Sequence, residues 1–252
     1  MERKDFLMML KWKEALDSAL AEYCESVPIC LQDSTKHILL SKGRRVRGLL
    51  TMAWCELSGG RAEDALPYAV AIELVHTVSL LQDDLPCMDN AEMRRGKQCA
   101  HLKYGEANIL LTGDVMLCQS MAMVSPRGAN LLRDSALKLC EGQALDLSGS
   151  DDWERIHAGK TASLMAAACA LGVIAAGGSE DQLQCASRWG YDLGMGYQLM
   201  DDFRDKDGAY VFVGADKTRA LADEYLARCT VDGDDETTVM LRKWLKQLIG
   251  SM

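Results

Sequence analysis

Residues 81–98 read Leu81-Gln82-Asp83-Asp84-Leu85-Pro86-Cys87-Met88-Asp89-Asn90-Ala91-Glu92-Met93-Arg94-Arg95-Gly96-Lys97-Gln98. Three carboxylates come first, and two arginines, a glycine and a lysine follow them closely. Carboxylate oxygens are the ligands that Mg²⁺ prefers in proteins, and paired guanidinium groups hold phosphate oxygens in a bidentate fashion. A single stretch that supplies both kinds of group predicts a site for magnesium and a diphosphate.

A second acidic cluster lies further along the chain and reads Gln198-Leu199-Met200-Asp201-Asp202-Phe203-Arg204-Asp205. Asp201 and Asp205 are four residues apart, so they share one face of a helix. A single pair of aspartates is more often a solvated surface or a helix cap. Here each cluster follows an apolar helical run that should be buried, 69–81 and 189–200. Unpaired carboxylates at the end of a buried helix are costly without a cation, so two such ends favour a metal site.

Composition predicts a helical protein with a sizeable core. Hydrophobic residues make up 48% of the 252 residues and there are only 4 prolines, while alanine, leucine and methionine are abundant, which favours helix. The formal net charge of −9 and the pI near 5.0 exclude nucleic acid as a partner on electrostatic grounds.

The cysteines and the apolar runs predict a chain without disulfides or membrane spans. The 10 cysteines form no Cys-x-x-Cys pair, and Cys55, Cys118, Cys140 and Cys169 fall on apolar faces, which is typical of buried, reduced thiols. The longest apolar run, 164–178, is alanine-rich and short for a transmembrane helix. The N-terminus has the composition of neither a signal peptide nor a transit peptide.

Apolar periodicity predicts helices over most of the chain and shows no strand signal. Pro86 should end the helix that leads to Asp83. Lys160-Thr161 should open the alanine-rich helix, although such a pair at a helix start is often only a cap. A further helix from Ser179 should reach the second cluster. The predicted helices are 5–24, 34–40, 49–57, 63–85, 106–123, 131–147, the run after Lys160-Thr161, and 179–205.

Two further places have both a structural and a functional interpretation. The basic segment 41–48, with Arg44, Arg45 and Arg47, is either a solvated loop or a phosphate cradle. His76 lies seven residues before Asp83, so about two turns of helix put both on one face. A histidine in an apolar helix is more often a satisfied core residue than a ligand.

Through both aspartate motifs and their flanks, the sequence resembles the trans-isoprenyl diphosphate synthase family, in particular the plant geranylgeranyl diphosphate synthase group, over residues 34–205. The resemblance implies an all-α bundle around a central cavity, formed by one domain over residues 1–252. It implies Mg²⁺ as cofactor, held by Asp83, Asp84, Asp89, Asp201, Asp202 and Asp205.

The resemblance also implies the residues that bind the two substrates. Arg44, Arg47, His76 and Arg95 would bind isopentenyl diphosphate, and Arg94, Lys160 and Gln198 would bind the allylic diphosphate, with Thr161 beside Lys160 at a kink facing the cavity.

The chain departs from this family pattern in ways that imply weak activity alone. The lysine-containing loop that closes the site is missing between Lys206 and Lys217, Arg204 interrupts the second cluster, Ala166 stands where a glutamate is common, and Gly48 replaces a proline. Plant small subunits of this kind carry two Cys-x-x-x-Cys elements at their pairing surface. Here each is half present, as 51–55 and 165–169.

These features lead to three hypotheses. The first is a largely non-autonomous regulatory subunit that pairs with an active geranylgeranyl diphosphate synthase large subunit. The second is an active short-chain prenyltransferase homodimer, favoured by two complete aspartate clusters. A terpene cyclase is the third, and the basic loop and second cluster argue against it. Apolar excess in the helix 49–57 and in the helix leading to Asp83 predicts a dimer interface. The resemblance implies the plastid stroma, with the transit peptide absent from this chain, and the cytoplasm otherwise.

Overall fold

The computed structural model describes residues 3–231, 233 and 236–250, and almost every element in it is a helix. The helices in chain order are α1 Arg3–Ser26, α2 Gln32–Leu39, α3 Val46–Leu57, α4 Leu66–Asp83, α5 Ala100–Tyr104, α6 Glu106–Ala122, α7 Pro126–Leu147, α8 Trp153–His157, α9 Ser163–Ala175, α10 Glu180–Asp205, α11 Ala209–Val213, α12 Ala215–Ala227 and α13 Glu236–Gly250. The predicted all-α architecture is confirmed, with most predicted helices within a few residues of their observed bounds.

One prediction about local structure is wrong, because the chain does contain strands. Residues Met93–Arg94 (β1) pair antiparallel with Lys97–Gln98 (β2). The two residues between them have positive φ, 53° at Arg95 and 77° at Gly96, as a two-residue hairpin turn of type I′ requires. Two-residue strands are too short to show an alternating pattern in the sequence.

Helix α9 is the central element and contacts α3, α4, α7 and α10. Its alanines let these neighbours approach closely, and ten of its thirteen residues are buried. Leu50 of α3, Ile72 and Leu74 of α4, and Leu164 of α9 are among the largest fully buried side chains of the shared core. The two apolar helices predicted to form a dimer interface are therefore core helices, and burial inside the bundle accounts for their apolar excess.

The alanine-rich helix begins earlier than predicted. Lys160-Thr161 does not open it, because α8, a π-helical turn over Ala158–Ala162 and α9 follow one another without a break. A π-helical turn places one extra residue in the helix and is frequent at functional sites. Because the turn keeps helical backbone, no proline or glycine-rich break marks it in the sequence.

Two helical runs, 62–83 and 153–175, are long and apolar enough to cross a membrane by length and composition alone. In the structure 61% and 67% of their apolar windows are buried against other helices, as expected for the core helices of a bundle.

The cysteine prediction is confirmed in part. All ten thiols are free, and Cys55 and Cys169 are buried, whereas Cys118 and Cys140 lie on the surface. Helical periodicity identifies apolar faces, but it does not tell which of them another helix covers.

Candidate active site

A cavity of about 440 Å³ lies between the loop before α3, helix α4, the β1–β2 hairpin, the π-helical turn and α10. Five arginines line it, which is an unusual density of positive charge for an acidic protein. Eight of the fourteen predicted site residues share its wall, namely Arg44, Arg47, His76, Arg94, Arg95, Thr161, Gln198 and Asp201. The basic segment therefore forms part of a cavity wall, although Lys42 and Arg44 remain exposed.

The hairpin explains the order Arg-Arg-Gly-Lys in the first motif. Arg94 ends β1, and Arg95 occupies the first turn position, where its Nη1 lies 3.3 Å from the hydroxyl of Ser41. The turn therefore presents both guanidinium groups to the cavity from one short element. Burial lowers the pKa of Arg95, and the neighbouring cation Arg45 lowers it further, so the pocket holds charges that an anion would stabilise.

His76 reaches the same cavity from α4. Burial holds the pKa of this histidine well below 6.5, and the positive charges of Arg47 and Arg95 lower it further. The imidazole is therefore neutral at physiological pH, with one nitrogen able to donate a hydrogen bond and the other able to accept one.

Tyr197 is a cavity residue that the sequence analysis missed. Arg44 Nη2 donates to its hydroxyl at 2.7 Å, and the guanidinium carbon lies 5.8 Å from the ring centroid. This contact joins the loop before α3 to α10. The spacing was the available signal, since Tyr197 lies four residues before Asp201 and thus on the same face of α10.

The first acidic cluster begins at the end of α4, where Asp83 is the last helical residue and Asp84 is the C-cap. Asp84 is 2% exposed, and Arg94 Nε lies 2.6 Å from its Oδ1. Burial raises the pKa of Asp83 to about 6, and the charge of Asp89 contributes in the same direction, while Lys160 and Arg94 oppose it. Asp89 itself is exposed. A carboxyl group in such surroundings would be stabilised in its charged form by a bound cation.

The second cluster lies across the cavity on α10. Asp201 lines the cavity and is half-buried, and burial raises its pKa. Arg204 lies between the two outer carboxylates, 2.9 Å from Asp201 Oδ1 and 2.9 Å from Asp205 Oδ1. This arginine holds the pKa of the exposed Asp205 below its usual value.

Asp202 points away from the other two aspartates into the bundle and is 2% exposed. Its carboxylate accepts hydrogen bonds from the Ala209 N–H at 2.7 Å and from Gln198 Nε2 at 3.2 Å, and His157 Nε2 lies 3.1 Å away. These contacts occupy both oxygens with protein groups and tie the segment after the second cluster to α8.

The π-helical turn supplies Lys160 and Thr161. Lys160 forms an ion pair with Asp146 of α7, and Thr161 Oγ1 donates to Gln198 Oε1 at 2.9 Å. Gln198 therefore connects the turn to Asp202 through its two amide atoms. Thr161 and Gln198 also line a second cavity of about 500 Å³, beside Lys160 and the segment at Gly208, so these two residues form part of the wall between two compartments.

The family model for polyprenyl synthetase matches residues 29–216. The chain belongs to the polyprenyl synthetase family. Among curated relatives, geranylgeranyl pyrophosphate synthase 7, chloroplastic, of Arabidopsis thaliana is 38% identical over 213 residues, which cover 76% of this chain and 60% of that protein. The heterodimeric geranylgeranyl pyrophosphate synthase large subunit 1, chloroplastic, of the same plant is 37% identical over 216 residues, with 76% and 57% covered. The chain thus spans about 60% of the length of these relatives.

The fold of this chain is similar to those of several solved structures. A geranyltranstransferase from Thermotoga maritima superposes with a TM-score of 0.86 at 29% identity and covers 97% of this chain and 100% of its own. An FPP/GFPP synthase from Zymomonas mobilis gives a TM-score of 0.83 at 26% identity, with 98% and 99% covered. The fold is therefore that of the isoprenoid synthases, as the sequence predicted.

Two departures from the family pattern take on a different meaning in the structure. Ala166 lines a separate groove between α7, α9 and α10 and is not part of the basic cavity, so the missing glutamate does not alter the cavity wall. Each incomplete Cys-x-x-x-Cys element keeps one cysteine, Cys55 or Cys169, and both of these are fully buried. Neither thiol can reach a pairing surface, and burial raises the pKa of both.

Carboxylate groups that could bind a divalent cation are present in this polyprenyl synthetase, but the described residues are not arranged as a complete metal site. Within this part of the chain, no group of three histidine, cysteine, aspartate or glutamate side chains is close enough to hold a metal ion. The oxygens of Asp83, Asp89, Asp201 and Asp205 are hard ligands suited to Mg²⁺. The raised pKa of Asp83 and of Asp201 indicates carboxylates that a cation would stabilise, so the residues fit this ion.

Proposed function

We propose that this polyprenyl synthetase is a regulatory subunit that binds prenyl diphosphates, turns over poorly alone, and pairs with an active geranylgeranyl diphosphate synthase to alter its product. The observation that carries the proposal is Arg204, which lies 2.9 Å from Asp201 and 2.9 Å from Asp205. The guanidinium of Arg204 already pairs with the carboxylates that would hold a metal ion, so a metal ion must displace it.

The basic cavity would bind the diphosphate of isopentenyl diphosphate. Arg44, Arg47 and Arg95 supply charge and forked donors there, and neutral His76 supplies one further hydrogen bond. Because Arg47 is half-buried and the loss of solvent lowers its pKa, an anion beside it gains a stronger electrostatic interaction than it would in water.

The allylic diphosphate would lie between the two acidic clusters, addressed by Arg94, Lys160 and Gln198, with Thr161 fixing the amide of Gln198. Mg²⁺ bound by Asp83, Asp89, Asp201 and Asp205 would neutralise the departing diphosphate. Asp84 and Asp202 are held by Arg94 and by the bundle, respectively, so we assign them to positioning. Leu80 and Met165 contribute apolar wall to the cavity, which limits the access of water to a carbocation.

The names of the relatives support the proposed partner and compartment. Two of the similar Arabidopsis proteins are named as large subunits of a heterodimeric geranylgeranyl pyrophosphate synthase, and several are named chloroplastic. We therefore place this chain beside such a large subunit in the plastid stroma.

A second candidate is an active short-chain prenyltransferase homodimer. It is favoured by Asp201, which lines the cavity, and by Arg94, which lines the same cavity and contacts Asp84 of the first cluster. Activity of the isolated chain separates the two candidates.

The test is to assay the purified chain with Mg²⁺, isopentenyl diphosphate and each allylic primer, alone and after mixing with a plant geranylgeranyl diphosphate synthase. We expect little turnover alone and an altered product distribution in the mixture. The double variant D83A/D84A should alter the partner's products as the wild type does. Robust turnover of the isolated chain that D83A/D84A abolishes would overturn the first candidate in favour of the second.

A further inference from the structure

The guanidinium of Arg45, in the basic segment 41–48, is held by three protein groups. Its Nε donates to Asp17 Oδ1 at 2.8 Å, its Nη2 donates to the Leu39 carbonyl at 2.7 Å, and its Nη1 lies 3.9 Å from Glu73 Oε2. Its side chain is 5% exposed. One guanidinium thus fastens the loop to α1, α2 and α4 together.

The backbone of Arg45 also has an unusual conformation. Its φ of 54° and ψ of 36° are left-handed, a conformation that non-glycine residues rarely adopt and that persists only where the surroundings enforce it. Arg45 lines the cavity together with Arg44 and Arg47, but the donors of its guanidinium face Asp17, the Leu39 carbonyl and Glu73. The fixed turn therefore sets the spacing of the two predicted phosphate ligands.

Glu73 holds the other end of the same segment. It is a buried carboxylate in the apolar helix α4, and its Oε1 accepts a hydrogen bond from the Gly48 N–H at 2.9 Å. The first N–H groups of a helix have no partner within that helix, so Glu73 caps the first turn of α3 from 25 residues away. Proline, which the resembled pattern carries at position 48, has no N–H to donate.

We propose that Arg45 and Glu73 are positioning residues that hold Arg44 and Arg47 in the geometry for a diphosphate, without contacting that diphosphate themselves. The proposal rests on the proposed function, because it assigns the basic cavity to a diphosphate. Its physical basis is preorganisation, since a loop already fixed in the binding geometry loses less entropy when the anion arrives.

The first part of the test is calorimetric titration of the full chain with inorganic pyrophosphate at several salt concentrations. R47Q removes a proposed ligand, so it should weaken binding by about tenfold or more and make the dependence on salt shallower, because one fewer charge meets the anion. R45Q should weaken binding several-fold and also make the salt dependence shallower, because Arg45 lines the same cavity and its charge acts on Arg95 and His76. R45K keeps the charge without the planar fork, so it should weaken binding several-fold with the salt dependence of the wild type.

The second part uses the cap on α3. E73Q keeps an amide oxygen that accepts the Gly48 N–H and should bind pyrophosphate at least as tightly as the wild type, whereas E73A removes the acceptor and should bind several-fold more weakly. The matched control is E56Q, because Glu56 also accepts a backbone N–H, that of Ala62 at 3.1 Å, outside the residues that line the cavity.

The outcomes separate the two proposals. If R47Q leaves pyrophosphate binding unchanged, the cavity is not the diphosphate site, and both the proposed function and this inference fall. If R47Q weakens binding while R45Q and E73A bind as tightly as the wild type, even with lower melting temperatures, the two residues are merely structural and only this inference fails. Binding of wild-type strength in R45K would show that only the charge of Arg45 matters and would overturn this inference as well.

Discussion

At the scale of single residues, the cavity combines buried positive charge with carboxylates that already have internal counterions. Arg94 lies against Asp84, and Arg204 lies between Asp201 and Asp205. Each of these ion pairs must rearrange before a metal ion can take the same oxygens. The balance between arginine and metal therefore sets how readily the site is loaded.

Arg204 provides the most direct residue-level prediction. R204Q removes the counterion of Asp201 and Asp205, so we expect it to tighten the binding of Mn²⁺, used as a spectroscopic probe for Mg²⁺, by a few-fold in the presence of pyrophosphate. Titration followed by electron paramagnetic resonance measures this affinity. R219Q is the matched control, because Arg219 forms a similar exposed pair with Asp223 on α12. Equal affinity in R204Q and the wild type would contradict the competition argument.

His76 predicts a dependence of stability on pH. Its pKa is well below 6.5 in the folded chain and about 6.5 in an unfolded one. Below that pH the unfolded state binds a proton that the folded state does not, so the free energy of unfolding falls, by up to about 1.4 kcal/mol per pH unit. We expect urea unfolding to show a smaller loss of stability between pH 7.5 and pH 5.5 in H76Q than in the wild type. An identical loss in both proteins would show that the imidazole is protonated when folded.

At the scale of elements, the π-helical turn and α10 build the far side of the site. Helix α10 begins with a capping box, in which Ser179 and Gln182 each accept a backbone N–H, and it runs without interruption to the second acidic cluster. The π-helical turn is held against α7 by two glycines, Gly142 and Gly159, whose backbones nearly touch. This close contact between α7 and the π-helical turn fixes the position of Lys160 and Thr161 relative to the cavity.

Gly159 predicts the cost of disturbing that crossing. A Cβ at this position would lie 2.6 Å from the Lys138 carbonyl oxygen and 2.8 Å from Gly142 Cα, and backbone atoms cannot move aside easily. G159A should therefore reduce the free energy of unfolding by about 2 kcal/mol and also weaken pyrophosphate binding, as measured by denaturation and calorimetry.

Gly113 on α6 is the matched control for that substitution. Its added Cβ would meet only Val78 Cγ1, at 3.7 Å, so G113A should be neutral or more stable by up to about 1 kcal/mol, as alanine is the better helix former. If both variants lose stability equally, close approach at the π-helical turn is not the cause.

At the scale of the whole molecule, the surface left for a partner differs from the one that apolar composition suggested. Helices α3 and α4 are buried, whereas α6 exposes two adjacent leucines, Leu110 at 50% and Leu111 at 56%. Exposed leucines are also present next to α6 in sequence, Leu102 on α5 and Leu137 on α7.

The double variant L110D/L111D tests that surface. Two charges in an apolar interface are costly to desolvate. We therefore expect that analytical ultracentrifugation detects neither self-association of the variant nor its association with a geranylgeranyl diphosphate synthase. L10D on α1, where Leu10 is also exposed, should associate as the wild type does. Full association of L110D/L111D would place the interface elsewhere.

The identity of the chemistry was available from the sequence. Carboxylates at Asp83, Asp84 and Asp89, and again at Asp201 to Asp205, with arginines behind the first set, predicted the polyprenyl synthetase relationship, the helical fold and eight residues that now share one cavity. The helical fold was available because apolar periodicity depends on neighbours along the chain, whereas the family and the site residues were implied by the resemblance of the two aspartate motifs and their flanks.

The tertiary structure decided how those groups are connected. It showed the hairpin that presents Arg95, the π-helical turn at Lys160, the inward turn of Asp202, and the contacts of Arg45 and Glu73 with the loop before α3. The hairpin is local but too short to leave a pattern, whereas the contacts of Arg45 and Glu73 join residues far apart in the chain. The free energy of such contacts comes from packing and desolvation that no local pattern records. The sequence by itself therefore determined which groups are candidates for the site, and the folded bundle determined which of them line the cavity and which are held by other protein groups.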